Sequence, residues 1–342
     1  MKVSIVITNY NYARYVGQAI ESALAQTYGD VQVIVVDDGS TDASWDEIRR
    51  HAARIQAVRI ENSGQGGATN VGLQMADGEL VLMLDSDDYL GPNTIATCVP
   101  LFKPDVAKVQ FSMRRIDADG RLLGGTVPYL MHEGDVRPII RLFGHYSGPP
   151  SSGNFYRRSA IARYYPLEPA RWRRAVDTVP FLLAAFNGRV VNAPGPLGHY
   201  RLHRVNNAPG MFGNVGRSFA EQLRVEQTRR DETLALLARH DGIVVEGPFL
   251  SLPWSVRTRV LSWKLDRARH PFPEDTLASL LRQQFDSLRA WPGYRPSECC
   301  AALLWVAAAG LLPASLVTRL ARTNTSGRVR TMFKRIARRA AT

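Results

Sequence analysis

The feature that most constrains this 342-residue chain is an alternation near its N-terminus. Short β-branched runs alternate with stretches of helical period, and each run ends in a polar cluster. Val3 to Thr8, Val31 to Val36, Val58 to Glu61 and Glu79 to Leu84 read as strands. Between them, Arg14 to Gln26 places Val16, Ala19, Ile20, Ala23 and Leu24 on one helical face. Thr41-Asp42 is suited to cap a helix with Trp45, Ile48, Ala52 and Ile55 inward, and Gly66 to Ala76 reads as another helix. Pro92 suits the first turn of a further helix. Val106 to Ile116 is a fifth strand, and its Lys108 and Arg114 predict a less buried position. Strands alternating with helices imply right-handed βαβ units and a mostly parallel α/β sheet.

Ligands of such sheets bind beyond the carboxyl ends of the strands. The polar clusters fall there: Thr8-Asn9-Tyr10, Asp37-Asp38, Asn62 to Gly67, and Asp85-Ser86-Asp87-Asp88. Four clusters at four consecutive strand ends predict one shared site. The first turn has no glycines, and no GxxxxGK[ST] run occurs, so neither phosphate-cradling fingerprint is present. Gly64-Gln65-Gly66-Gly67 alone is too weak a signal for a phosphate site. Three carboxylates within four residues would repel one another, and a divalent cation relieves this. Hard carboxylate oxygens suit Mg²⁺ or Mn²⁺.

Charge divides the chain. Residues 1–100 hold six basic and 13 acidic side chains, a net −7, so in a chain of net +12 the remaining residues carry +19. A basic total is compatible with nucleic-acid binding, but the acidic front would repel a phosphate backbone, and the basic residues are not interleaved with an aromatic platform. No nucleic-acid partner is expected. Three cysteines make no disulfide framework, and the opening Met1-Lys2 leads straight into the first strand, so a reduced, cytoplasmic setting is expected.

Several of these pieces resemble the inverting family 2 glycosyltransferases of the GT-A fold. They are Val3 to Asn11, Val35 to Asp42, Asn62 to Gly72 with Ala68 and Asn70, Ala76-Asp77-Gly78-Glu79, and Leu84 to Asp88. Ser152 to Arg158 through Tyr200-Arg201-Leu202-His203 resembles the acceptor-side half. The resemblance covers roughly residues 1–210. It implies a GT-A domain over 1–215, with a nucleotide-sugar-binding half at 1–105 and an acceptor half at 106–215. A mainly helical region follows at 216–342.

By resemblance, Asp87 binds the metal that bridges a donor diphosphate, and Asp85 lies near the ribose or the metal. Asp88 caps a turn instead. Asp38, or the adjacent Asp37, contacts the nucleotide base, with Thr8, Asn9, Tyr10 and Asn62 lining the donor pocket. Asp177 is the general base, a plain helix cap being the alternative. The family usually has an acidic pair there; this chain has Arg173-Arg174-Ala175-Val176-Asp177. Arg201 or His203 would approach the diphosphate. The implied reaction moves a sugar from a nucleotide sugar, foremost a UDP-sugar, to a saccharide or lipid-linked saccharide in surface polysaccharide biosynthesis. A polyprenyl-phosphate glycosyltransferase and a non-catalytic nucleotide-sugar-binding scaffold are the alternatives.

Beyond about Ser218 the pattern becomes helical, with segments at Phe219 to His240, Val256 to Arg269 and Thr276 to Ala290. Cys299 to Thr318 is uncharged and long enough to span a bilayer, but it is alanine-rich and interrupted by Pro313. Two short packed helices, Cys299 to Leu311 and Ala314 to Ala321, are expected. From Arg319 onward there are eight basic and no acidic residues, with Val329, Met332, Phe333 and Ile336 on one face. Such a segment suits peripheral contact with the inner leaflet. The C-terminal helices are equally suited to a homodimer.

Overall fold

The computed structural model describes residues 1–202 and 218–322. They divide into two units, which are described separately; the described residues of the first are 1–202 and 229–247. Its centre is one nine-stranded sheet. The strands are β1 (Val3–Asn9), β2 (Val31–Asp37), β3 (Gln56–Arg59), β4 (Leu80–Asp85), β5 (Tyr89–Leu90), β6 (Val106–Ile116), β7 (Leu122–Val127), β8 (Asn154–Arg157) and β9 (Arg189–Arg201). Their order is β3-β2-β1-β4-β8-β6-β9-β5, with β7 paired to β6.

The first four strands are parallel, as their alternation with helices predicts. The rest of the sheet is mixed. β8 runs antiparallel to both β4 and β6, while β6 and β9 are parallel. The continuous apolar runs of β1 and β4 are buried because helices cover both faces of the sheet. Helix Val16–Leu24 packs Val16, Ala19, Ile20 and Ala23 on one face, with β1, β2 and β4 supplying Ile5, Ile7, Val35 and Leu82. The other face receives helix Gly64–Met75, where Ala68 meets Val6, Ile34, Val36 and Val81.

Two local expectations are corrected. The helix after Thr41-Asp42 runs only Ser44–Arg49; Ala52 is exposed, so the periodicity outlasts the helix. The N-cap position is Ala43, without a side-chain cap, and Asp42 just before it accepts from the Ser44 amide at 2.9 Å. Lys108, read as a sign of exposure, is fully buried, because β8 and β9 flank β6 on either side.

The boundary of the first unit is not a single cut near residue 215. The second half of helix Phe219–Asp241 belongs to it. Asp241 accepts hydrogen bonds from Arg163 Nη1 and from the Tyr164 hydroxyl, and Arg229 lies 5.0 Å over the Trp172 ring.

In the second unit, helices Ser255–Leu265, Leu277–Ala290, Pro296–Leu311 and Ala314–Arg322 enclose Val256, Val260, Leu280, Trp305, Val306, Ala309 and Val317. The last two helices are the pair expected on either side of Pro313. A buried polar network lies among them. Arg259 donates to both Asp275 oxygens at 2.5 and 2.8 Å, and His270 Nε2 is 3.0 Å from the same carboxylate. Among the described residues no helix is long and apolar enough to cross a membrane. The basic segment beyond Arg322, expected to meet a membrane surface, lies outside the described residues.

Candidate active site

The strand register brings the polar clusters together. Asn9 pairs with Asp37 across β1 and β2, and Thr8 pairs with Asp85 across β1 and β4. Asp85, Asp87 and Asp88 offer oxygens that all lie within 4.8 Å of one another. Burial first, and then the charge of Asp87, pushes Asp85 and Asp88 well above the ordinary carboxylate range. Close, hard carboxylate oxygens, with the affinity of Asp85 and Asp88 for protons raised, are a donor set that fits Mg²⁺ or Mn²⁺.

Asp88 has a separate structural task. Its carboxylate accepts from Ser152 Oγ at 2.6 Å and from the Arg201 amide at 2.9 Å. Ser152 Oγ in turn accepts from the Asp85 amide at 3.1 Å. One serine therefore ties both ends of the acidic turn to the segment preceding β8.

Arg201 departs from expectation. It is 2% exposed, and its donors are already engaged. Nε binds the Asp87 carbonyl at 2.7 Å, Nη1 the Asp117 and Ala118 carbonyls, and Nη2 the Gln18 side chain at 2.5 Å. Its guanidinium braces the acidic turn rather than standing available for a diphosphate. A cation buried among carbonyl oxygens satisfies its hydrogen bonds there, and moving it would strand them. His203 lies outside the described residues.

Asp37 and Asp38 are both buried, and both organise backbone. Asp37 accepts from Asn9 Nδ2 at 2.9 Å and from Ser40 N and Oγ at 3.0 and 2.6 Å. Asp38 accepts from the Ser63 amide at 2.8 Å and the Gly64 amide at 2.9 Å, capping helix Gly64–Met75. Asn62 is exposed, donates to the Asp38 carbonyl and accepts from Arg173 Nη2. Tyr10 is 45% exposed.

The glycine-rich turn acquires a role that sequence alone did not show. The Gln65 and Gly66 amides donate to the Arg173 and Trp172 carbonyls at 3.1 and 2.9 Å. A Cβ on Gly66 would lie 2.5 Å from the Trp172 oxygen, and one on Gly64 2.7 Å from Arg173 Cα. Asn70 closes the same seam, donating to the Leu167 carbonyl and accepting from the Leu167 amide. The turn is thus the seat of the loop that leads to Asp177. Ala175, in that loop, adopts a left-handed φ of 59°.

Asp177 precedes helix Thr178–Leu183 but makes no capping hydrogen bond with its side chain. It lines one cleft together with Thr8, Gln65, Thr69, Asp85, Ser151 and Val176. Burial pushes its carboxyl above the ordinary range, and the nearby Asp177 and Thr178 amides offset part of that rise. Its charge also acts on Asp85. Four carboxylates from two distant stretches therefore share one electrostatic field. Sequence reasoning missed the tyrosines around them. Tyr12 and Tyr200 are both pushed upward by burial and by these aspartates.

Comparison with known proteins agrees with this geometry. Residues 4–165 match the family model for glycosyl transferase family 2. An uncharacterized glycosyltransferase of Nostoc sp. is 36% identical over 214 residues, which cover 60% of this chain and 66% of that protein. The Escherichia coli enzyme WfaP, a UDP-Glc:alpha-D-GlcNAc-diphosphoundecaprenol beta-1,3-glucosyltransferase, is 35% identical over 126 residues, or 36% of this chain and 49% of that one. The chain thus spans two thirds or less of the length of these curated relatives. Among solved structures, S. aureus TarS 1–349 in complex with UDP-GlcNAc superposes with a TM-score of 0.54 at 18% identity, covering 91% of this chain and 88% of that one. That likeness concerns the fold. Together with the parallel β3-β2-β1-β4 sheet and the acidic turn at its carboxyl edge, these matches make the chain a member of the family 2 glycosyltransferases, with a GT-A fold.

Proposed function

We propose that this chain is an inverting, metal-dependent transferase moving a sugar from a nucleotide sugar, foremost a UDP-sugar, to a saccharide or lipid-linked saccharide. The observation that carries this reading is the sharing of one cleft by Asp177 and Asp85. A donor at the acidic turn would present its anomeric carbon within reach of a base. The UDP-sugar named for WfaP and the UDP-GlcNAc bound by TarS support the choice of nucleotide.

Asp87 and Asp85 would hold Mg²⁺ or Mn²⁺, which when bound neutralises charge on the departing diphosphate. Thr8, Asn9, Tyr10, Asn62 and the backbone braced by Asp37 and Asp38 would frame the nucleoside. Asp177 would accept the proton of the acceptor hydroxyl as its oxygen attacks opposite the leaving group. A carboxylate lifted by burial is a better base than an exposed one, because its proton affinity lies closer to neutral pH. The basic segment that begins at Arg319 would meet anionic lipid at the cytoplasmic leaflet; its eight cations without an acid support that assignment.

Calorimetric titration with UDP, GDP, CDP and TDP, each in Mn²⁺ and in EDTA, tests the reading. Metal-dependent binding of UDP is expected. A folded sample that binds none of the four would refute it.

A further inference from the structure

Lys108, near the start of the central strand β6, has 0% exposure. Burying an ammonium group is costly, and here burial pulls its proton affinity well below the ordinary lysine range. Its surroundings are aromatic. Nζ lies 3.7 Å from the Phe181 ring centroid, 5.0 Å from Tyr146 and 5.8 Å from Tyr156. An apolar residue of similar volume would avoid that cost.

What the amine does is visible in the hydrogen bonds. Lys108 Nζ donates to the Tyr146 hydroxyl at 2.8 Å, and that hydroxyl donates to the Phe181 carbonyl at 2.8 Å. Phe181 belongs to helix Thr178–Leu183, and its amide donates to the Asp177 carbonyl at 3.1 Å. The Phe181 ring also stacks on Tyr146, at 4.3 Å and 15°. Gly148 leaves room for it, since a Cβ there would lie 2.5 Å from the ring. A chain of three hydrogen bonds therefore runs from β6 to the backbone of Asp177.

We propose that Lys108, acting through Tyr146, is a positioning residue for Asp177: it fixes the first turn of helix Thr178–Leu183 and so the place of the carboxylate in the cleft. The inference rests on the reading of Asp177 as the base. Removing the hydroxyl frees the Phe181 carbonyl and cuts the tether, while removing the amine takes away the donor that fixes the Tyr146 hydroxyl and so loosens it.

The test uses the full chain with Lys108→Met, Tyr146→Phe and Asp177→Asn. Tyr146→Phe keeps the stacked ring and guards against simple loss of the fold. Deuterium uptake over residues 177–183 is measured without substrate. Release of UDP from UDP-glucose and from UDP-N-acetylglucosamine in Mn²⁺, with water as acceptor, is followed against pH. Both tether variants should raise uptake in that segment, leave the Kd of UDP in Mn²⁺ unchanged, lower kcat about tenfold or more at unchanged KM, and move the acid limb of the pH profile. Wild-type uptake in both variants overturns the inference, as does wild-type kcat with an unmoved acid limb. If Asp177→Asn turns over normally, the base assignment itself fails and takes the inference with it. If Asp177→Asn is inactive while Tyr146→Phe is normal, only the inference fails.

Discussion

The Arg201 amide donates to Asp88 Oδ1 at 2.9 Å across 113 positions of sequence, and Arg201 Nε donates to the Asp87 carbonyl at 2.7 Å. The end of β9 thus holds two consecutive residues of the acidic turn by backbone and side chain at once. Charge repulsion would spread the turn; Arg201 and Ser152 oppose that without covering all of its oxygens.

The two proposed roles of the aspartates separate experimentally. Asp87→Ala should abolish Mn²⁺-dependent nucleotide binding and transfer together. Asp177→Asn should lower transfer about a hundredfold or more while nucleotide binding persists. The base acts unprotonated, so wild-type activity should fall as pH drops through a value above the usual carboxylate figure of about 4. Paired calorimetry and product-formation assays decide this. Near-normal turnover in Asp177→Asn would remove it from the mechanism.

Metal should stabilise the protein in a pH-dependent way. Asp85 and Asp88 bind protons more tightly folded than unfolded, because burial and Asp87 raise both. Without metal, stability is therefore lost as pH rises from about 4 through the raised values. A bound divalent cation offsets that loss. The gain in Tm on adding Mn²⁺ should be larger near pH 7.5 than near pH 5, read by thermal melts with and without EDTA. Equal gains at both would contradict a carboxylate site.

Gly66→Ala separates seat from helix. Alanine favours a helix by about 1 kcal/mol over glycine, yet its Cβ would lie 2.5 Å from the Trp172 oxygen. The loop leading to Asp177 must shift. Transfer should fall about 10²-fold, the cost of roughly 1 Å of misplacement, with nucleotide affinity retained. Gly29→Ala, with nothing within 4 Å of its Cβ, should be indistinguishable from wild type. A fully active Gly66→Ala would show that the loop tolerates displacement.

The buried network of the second unit should dominate its stability. Asp275 is fully buried between Arg259 and His270. Asp275→Ala leaves the buried Arg259 guanidinium with only the exposed Glu274 carboxylate at 3.6 Å and should cost about 3 kcal/mol. Urea unfolding followed by tryptophan fluorescence reports it, since Trp254, Trp263, Trp291 and Trp305 all lie in that unit. A loss below about 1 kcal/mol, the scale of an exposed ion pair, would mean water reaches the pair.

Much of the N-terminal, parallel part of the sheet was legible because its signals are local. Val3 to Thr8 and Glu79 to Leu84 are too apolar for anything but buried strands, and Asp85 to Asp88 can follow only at their ends. Side-chain allegiance was less legible. Lys108 reads as exposure in any strand, until β8 enters beside it. Arg201 reads as a ligand cation, until its carbonyl partners at 117 and 118 are known. Gly64 to Gly67 reads only as a signal too weak for a phosphate site, because the backbone it receives comes from residues 172 and 173. Each misreading concerns a long-range partner, which periodicity does not encode.

The insertion of β8 between β4 and β6 also bears on how the protein comes into being. As the chain leaves the ribosome, β4 remains an open edge of the parallel sheet until Asn154–Arg157 emerges and pairs with it. During that interval Leu80–Asp85 offers unpaired backbone beside strongly apolar side chains, the kind of edge that recruits other chains. The acidic turn meanwhile lacks Ser152 and Arg201. A nascent chain stopped near residue 105 is thus a sticky fragment rather than half an enzyme, because the strand that shields the edge arrives with the residues that steady the charge.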